Sequence, residues 1–322
     1  MSRIFVTGGS GRLGRSVVAG LAGAGHHVIS VDRAAVPAAQ LPDGVEQHSA
    51  DLLAPGEASR LLRETTPDAV VHLAAIAVPF SAPEDVILST NTRLAYAVIS
   101  AATELRIGRI ITASSPTVLG YGSPAGWLPG SLPVNEDTTP RPWNAYALSK
   151  LIAEQTVQMF AAAEGDAIRY AAFRPCYVIS PEEWAGAPTQ QGHTVSERLA
   201  DPALSAPALF NYVDARDVAE FLDLLLARMD SIPNGQTFFV GAADALATEP
   251  LAELMPRFLP GSSDLAAGLT GTSPAFSMAK ARDLLGWEPR RSWRTELKTE
   301  IHLNDEKSAA LAAAGAGSKE TP

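Results

Sequence analysis

Short apolar runs and longer amphipathic stretches alternate along most of the chain. Residues 4–6, 27–31, 45–50, 69–73, 109–113, 167–173 and 236–240 are apolar runs of strand length. Between them, residues 12–22, 56–64, 85–105, 144–163 and 218–229 carry apolar positions at helical spacing, and 210–213 is one more short apolar run. Strands that are apolar on both faces and joined by helices need crossover connections. The pattern therefore predicts an α/β protein with a doubly wound parallel sheet covered on both faces.

The rhythm breaks twice. From 176 to 209 the chain is irregular and rich in Pro, Gly and Ala, and 243–293 is mixed. These stretches are expected to pack together as a smaller substrate-binding domain, 176–209 with 243–302, beside a main domain of 1–175 with 210–242. Residues 303–322 have no apolar periodicity and are expected to be a disordered tail.

Composition narrows the function classes. A formal net charge of −10 and the lack of any basic run argue against a nucleic-acid partner. Residues 4–6 are too short an apolar run for a signal peptide, and no stretch approaches the length that spans a bilayer. The single cysteine, Cys176, suits a reducing cytoplasm and reads as a small buried residue in a strand. The six histidines are scattered without metal-ligand spacing, so no metal is expected.

Two groups of residues carry chemistry. The first, Thr7-Gly8-Gly9-Ser10-Gly11-Arg12-Leu13-Gly14, lies between the first strand and the first helix. Glycines at 8, 11 and 14 let the backbone turn sharply and approach a pyrophosphate, whose charge rests on the helix N-terminus. Asp32 ends the second strand, where a carboxylate accepts the adenosine ribose hydroxyls and repels a 2′-phosphate. NAD is the expected cofactor, with NADP as the alternative because Arg33 follows directly.

The second is Tyr146-Ala147-Leu148-Ser149-Lys150. Four residues apart on a helix, Tyr146 and Lys150 share a face and reach the same substrate. A phenol normally titrates near pH 10, and the Lys150 ammonium with a positive nicotinamide ring is expected to lower that value. Tyr146 then exchanges a proton with an alcohol or ketone while hydride moves to or from the dinucleotide. Ser115, just past the strand 110–113, can align the substrate oxygen with Tyr146.

Together these motifs resemble the NAD-dependent epimerase/dehydratase family, the extended short-chain dehydrogenases, from about residue 3 to about residue 293. The resemblance implies a Rossmann-type fold and places Ser115, Tyr146 and Lys150 on the catalytic positions. It implies cofactor contacts from Asp51 and Leu52 at adenine, from Leu73, Ala74 and Ala75 after His72, from Asn91 on its helix, and from Pro175 in Arg174-Pro175. The segment from Tyr212 to Ala219 resembles the family's HVDDVA, and that from Lys280 to Pro289 its KAxxLLGWxP. A homodimer through a four-helix bundle is also implied, with Val86, Thr90, Leu94, Ala97 and Ala101 as the stripe on the helix 85–105.

Departures bear on substrate. Tyr177 stands where nucleotide-sugar members keep an Asn near the substrate phosphates, and Leu119 replaces the Tyr of VYG, although Tyr121 lies close by. Among strongly basic side chains 176–209 has only Arg198, beside His193, thin provision for a diphosphate. Ser115, Thr117, Tyr177 and Arg216 are the candidate substrate contacts, though Arg216 and Asp217 at a helix start also suit an ion pair or cap. The expected activity is NAD-dependent oxidation or reduction of a secondary alcohol or ketone on a carbohydrate-like small molecule. A 4-epimerase with tightly held NAD is the alternative. A dinucleotide sensor without turnover fits less well because Ser115, Tyr146 and Lys150 are all kept. Dehydratases place an acidic pair where Pro116 and Thr117 stand, which argues against dehydration.

Overall fold

Strand β1 (Arg3–Thr7) sends Ile4 and Val6 into one hydrophobic cluster and Phe5 into another, all fully buried, because successive strand residues face opposite ways. The computed structural model describes residues 1–297, so the expected tail at 303–322 and the end of the 243–302 segment lie outside the described residues.

After β1 come α1 (Arg12–Gly23), β2 (His27–Asp32), β3 (Val45–Ser49), α2 (Glu57–Thr65), β4 (Ala69–His72) and α3 (Glu84–Glu104). Next are β5 (Arg109–Ala113), α4 (Ala145–Glu164), β6 (Arg169–Pro175), β7 (Val178–Ile179), α5 (Pro181–Trp184) and α6 (Val195–Ala200). Then follow β8 (Val213–Asp214), α7 (Ala215–Arg228), β9 (Gln236–Val240), α8 (Leu251–Phe258), α9 (Ser263–Ala266) and α10 (Ala279–Leu285).

The main sheet has seven parallel strands in the order β3-β2-β1-β4-β5-β6-β9. The chain winds outward from β1 through β2 to β3, then returns to β4 and winds the other way. The reversal leaves a crevice at the carboxyl ends of β1 and β4, where ligands bind in such sheets. Helices α1 and α7 cover one face through Val17, Leu21, Phe221 and Leu222. Helices α2, α3 and α4 cover the other through Leu61, Leu62, Val98 and Val157.

The apolar run 210–213 does not extend the main sheet. Leu209 and Phe210 take positive φ (51° and 58°), which breaks the extended backbone. Only Val213 and Asp214 remain as β8, pairing in parallel with β7 as a separate two-stranded sheet. A third cluster, of Ile179, Trp184, Val195, Leu199, Tyr212 and Leu246, packs around that ribbon. The irregular stretch 176–209 thus has its own apolar centre beside the carboxyl end of β6.

Candidate active site

The glycine turn is built by close packing. Gly8 takes φ 73°, and a Cβ there would lie 2.7 Å from the amide nitrogen of Ala74. A Cβ on Gly14 would lie 2.0 Å from the Gly8 carbonyl oxygen. Any larger residue at either position would push the loop apart. Helix α1 begins at Gly11 with no side chain capping it and no acidic residue in its first turn. Its N-terminal N–H groups, Arg12 and Leu13 among them, are left for an anion.

Thr7 ties this turn to β4. Its hydroxyl accepts from the Leu73 and Ala74 amides (3.1 and 3.2 Å) and lies 2.8 Å from His72 Nδ1, so it donates there. His72 is thereby an acceptor at Nδ1, and burial first, then the Lys150 charge, pushes its pKa down to about 3. The ring is neutral and holds the Leu73-Ala74-Ala75 loop in place. Asn91 acts on the same loop. Its amide exchanges hydrogen bonds with the backbone of Ile76 and donates to Ser149 Oγ on α4. With its polar atoms spent on protein, Asn91 serves the cofactor side by fixing the 73–76 loop.

Asp32 receives the Ser10 and Arg33 amides on its two oxygens (3.1 and 2.7 Å), while the Arg33 side chain is exposed. Asp51 is exposed and accepts from the Leu53 amide, and Leu52 beside it is buried. Pro175 ends β6 opposite Val240. The turn, Asp32 and the 73–75 loop converge on the crevice at the β1–β4 reversal, so these residues fit a dinucleotide.

Tyr146, Lys150 and Glu154 recur every four residues on the buried face of α4. Three ionisable groups in one buried stripe each need a partner. Ser115 ends the extended run after β5 and caps a short 3-10 turn over Pro116–Leu119. Ser115 Oγ accepts from the Thr117 amide and hydroxyl (3.3 and 2.9 Å), which leaves its own proton to donate. Thr117 therefore orients Ser115.

Lys150 alone does not lower Tyr146 in the ligand-free site: burial pushes the phenol up to about 12, with Ser115 acting the other way. Lys150 Nζ donates to the Ala113 carbonyl at 3.0 Å and lies 5.8 Å from the Tyr146 ring centroid, and burial pushes its own pKa down to about 8. In the ligand-free site both groups are held toward neutrality. Burial favours a neutral Lys150, and only its charged form would stabilise the phenolate.

That balance has a measurable consequence. Lys150 is charged in both states below pH 8, so its burial penalty is full there. Between pH 8 and about 10.5 the unfolded chain binds the extra proton, and stability rises with pH by linkage. Subtracting the pH profile of Lys150→Met in urea melts should isolate an upward slope over that window. A difference that is flat from pH 8 to 10 would contradict the burial account.

Sequence reasoning missed the next partner on the stripe. Glu154 receives Arg174 Nε and Nη2 (2.7 and 2.8 Å) and the Ser114 hydroxyl, and both charged side chains are about 4% exposed. Arg174 also lies over the Phe239 ring. The buried pair fastens Ser114, next to Ser115, to α4. Its signal was the same four-residue spacing that joins Tyr146 to Lys150.

On the substrate side, Tyr177 donates its backbone N–H to Asn211 Oδ1 at 2.8 Å. Arg216 is engaged by Asp214 and Glu296, so its guanidinium joins the helix start to the C-terminal segment, as an ion pair at that place would. Asp217 does the same for the Arg290 and Arg291 amides. Arg12 reaches from the glycine turn to the buried Glu183 of α5. Cys176 is buried and free, and burial raises its thiol pKa.

A dinucleotide cradle at a sheet reversal, with Ser115, Tyr146 and Lys150 at the adjacent strand end, is what a pyridine-nucleotide-binding fold requires. The profile of the NAD dependent epimerase/dehydratase family matches residues 4–241, and the chain belongs to that family. It is 34% identical over 172 residues to a UDP-glucose 4-epimerase of Azospirillum brasilense, covering 51% of this chain and 46% of the relative. It is 33% identical over 156 residues to a 2'-dehydrokanamycin reductase of Streptomyces kanamyceticus, covering 48% of this chain and 38% of the relative. The matches span less than half the length of these relatives. In fold it is similar to a short-chain dehydrogenase/reductase superfamily protein of Agrobacterium tumefaciens crystallised with NAD, at a TM-score of 0.69 and 22% identity. That match covers 97% of this chain and 99% of the other.

Proposed function

We propose that the protein interconverts a secondary alcohol and a ketone on a small carbohydrate-like substrate. The observation that carries this reading is Tyr146 and Lys150 one helical turn apart on the buried face of α4, with Lys150 Nζ bonded to the Ala113 carbonyl at the carboxyl end of β5, two residues before Ser115. Bound NAD supplies a hydride acceptor and a positive nicotinamide ring. Gly8, Gly11, Arg12, Leu13 and Gly14 would hold its pyrophosphate, Asp32 its adenosine ribose, and Lys150, with two donors left, its other ribose. Asp51 and Leu52 would border the adenine, and Leu73, Ala74, Ala75 and Pro175 the crevice walls. Ser115 would orient the substrate oxygen, and Tyr146, as a phenolate favoured by the nicotinamide charge and the Lys150 ammonium, would accept its proton. Segments 176–209 and 243–297 form the substrate-binding side, with Tyr177 facing the substrate.

The names of the relatives favour one second reading, a sugar 4-epimerase that returns the hydride to the opposite face. Net formation of NADH with substrate identifies the oxidoreductase. Conversion of a sugar with no change at 340 nm would overturn that reading in favour of the epimerase.

We infer in addition that α3 and α4 pair two copies into a homodimer. Two of the five stripe residues, Leu94 and Ala101, are internal core, but Val86, Tyr96, Leu148 and Met159 are exposed apolar side chains on the two helices. Tyr96→Glu should convert the protein to a monomer in sedimentation velocity runs, and a wild type already monomeric at micromolar concentration would sink the inference.

A further inference from the structure

Arg198 is 1% exposed, yet no carboxylate among the described residues reaches it. Its guanidinium lies over the Tyr177 ring, 4.2 Å from the centroid, and Nη1 donates to Gln191 Oε1 at 2.6 Å. Among the described residues Nε has no partner, and neither does the buried hydroxyl of Tyr177. The other deeply buried arginine, Arg174, also has an unpartnered Nη1 but keeps a counter-ion, bonding Glu154 through Nε and Nη2. A buried guanidinium without a counter-ion is costly to keep unless an anion comes to it. The two orphaned donors belong to this one stacked pair, Tyr177 just past β6 and Arg198 on α6.

They lie toward the catalytic end of the sheet: Tyr177 comes two residues after β6, and β6 pairs with β5, Phe173 opposite Ala113, two residues before Ser115. The surrounding charge limits the anion. In 176–209 the acidic groups are Glu182, Glu183, Glu197 and Asp201, with His193 the one other basic side chain. Glu182 and Glu183 pair with Arg15 and Arg12, Glu197 caps with Thr194, and Asp201 accepts from the Ala203 amide. One buried positive charge among four carboxylates matches a single negative charge and would repel a diphosphate.

We propose that Arg198 and the Tyr177 hydroxyl bind one carboxylate of the substrate, so that the substrate class is a sugar acid. This rests on the oxidoreductase reading above. Arg198 accepts the carboxylate as a planar fork, and the phenol adds a third donor.

The test uses the NAD-loaded full chain with paired probes: glucuronate against glucose, galacturonate against galactose, and UDP-galactose. NADH should form from an acid at least about a hundredfold more efficiently than from its neutral partner, as loss of a charge-assisted hydrogen-bond pair implies. Arg198→Met should remove that preference. Tyr177→Phe, which keeps the ring, should raise KM for the acid with kcat little changed. Equal NADH from the neutral sugar would overturn the carboxylate assignment and leave the oxidoreductase reading standing. Conversion of UDP-galactose without NADH would overturn both. If no probe turns over, calorimetry of the two acids against NAD-loaded Tyr146→Phe decides, and absence of binding overturns the proposal.

Discussion

Tyr146→Phe should lower kcat by about 10³-fold while NAD binding and thermal stability stay near wild type. The ring stays, so the packing of this buried side chain is preserved and only the hydroxyl is lost. What goes with it is the proton acceptor that Ser115 orients. General acid–base groups contribute about 10² to 10⁴ in rate, which sets the scale. Cofactor affinity, read by fluorescence titration, should hold because the glycine cradle and Asp32 are remote from the hydroxyl. Activity within tenfold of wild type on a substrate that produces NADH would remove Tyr146 from the mechanism.

Glu154→Leu should be the most destabilising single change near the site. It strands the Arg174 guanidinium, about 4% exposed, without its two acceptors, and removing one member of a buried ion pair costs about 3–5 kcal/mol. It also frees Ser114, so activity should fall along with the urea midpoint. The double variant Glu154→Leu with Arg174→Met replaces both charges by apolar groups of similar size and should recover most of the stability. Because Ser114 loses its anchor in both proteins, the double variant should recover stability more fully than rate. A single variant as stable as wild type would show that the pair is solvated in solution.

Much of this was legible in the chain. Continuous apolar runs and a 3.6-residue period marked the strands and helices of the main sheet, because strands buried on both faces leave little room for polar positions. The glycine turn was readable since positions 8 and 14 admit no side chain, and the Tyr–Lys spacing because a helix fixes which residues share a face. The strand at 210–213 was misjudged because its apolar residues are equally suited to a separate ribbon, and the positive φ at Leu209 and Phe210 has no glycine to announce it. The rise of the Tyr146 pKa was hidden for a different reason. Spacing shows that two groups are neighbours but says nothing of the dielectric between them. Arg198 was visible only as a lone basic residue, and its lack of a counter-ion emerged once every nearby carboxylate had a partner.

The contact between Thr7 and His72 joins residues 65 positions apart in the chain. Closing so long a loop is entropically expensive and slow compared with forming the turn itself. A nascent chain that ends before β4 has every glycine of the cradle and none of the contacts that Ala74 and Leu73 make with it. Affinity for the dinucleotide is thus acquired late in folding, when β4 docks beside β1, and it reports on completion of the sheet's centre.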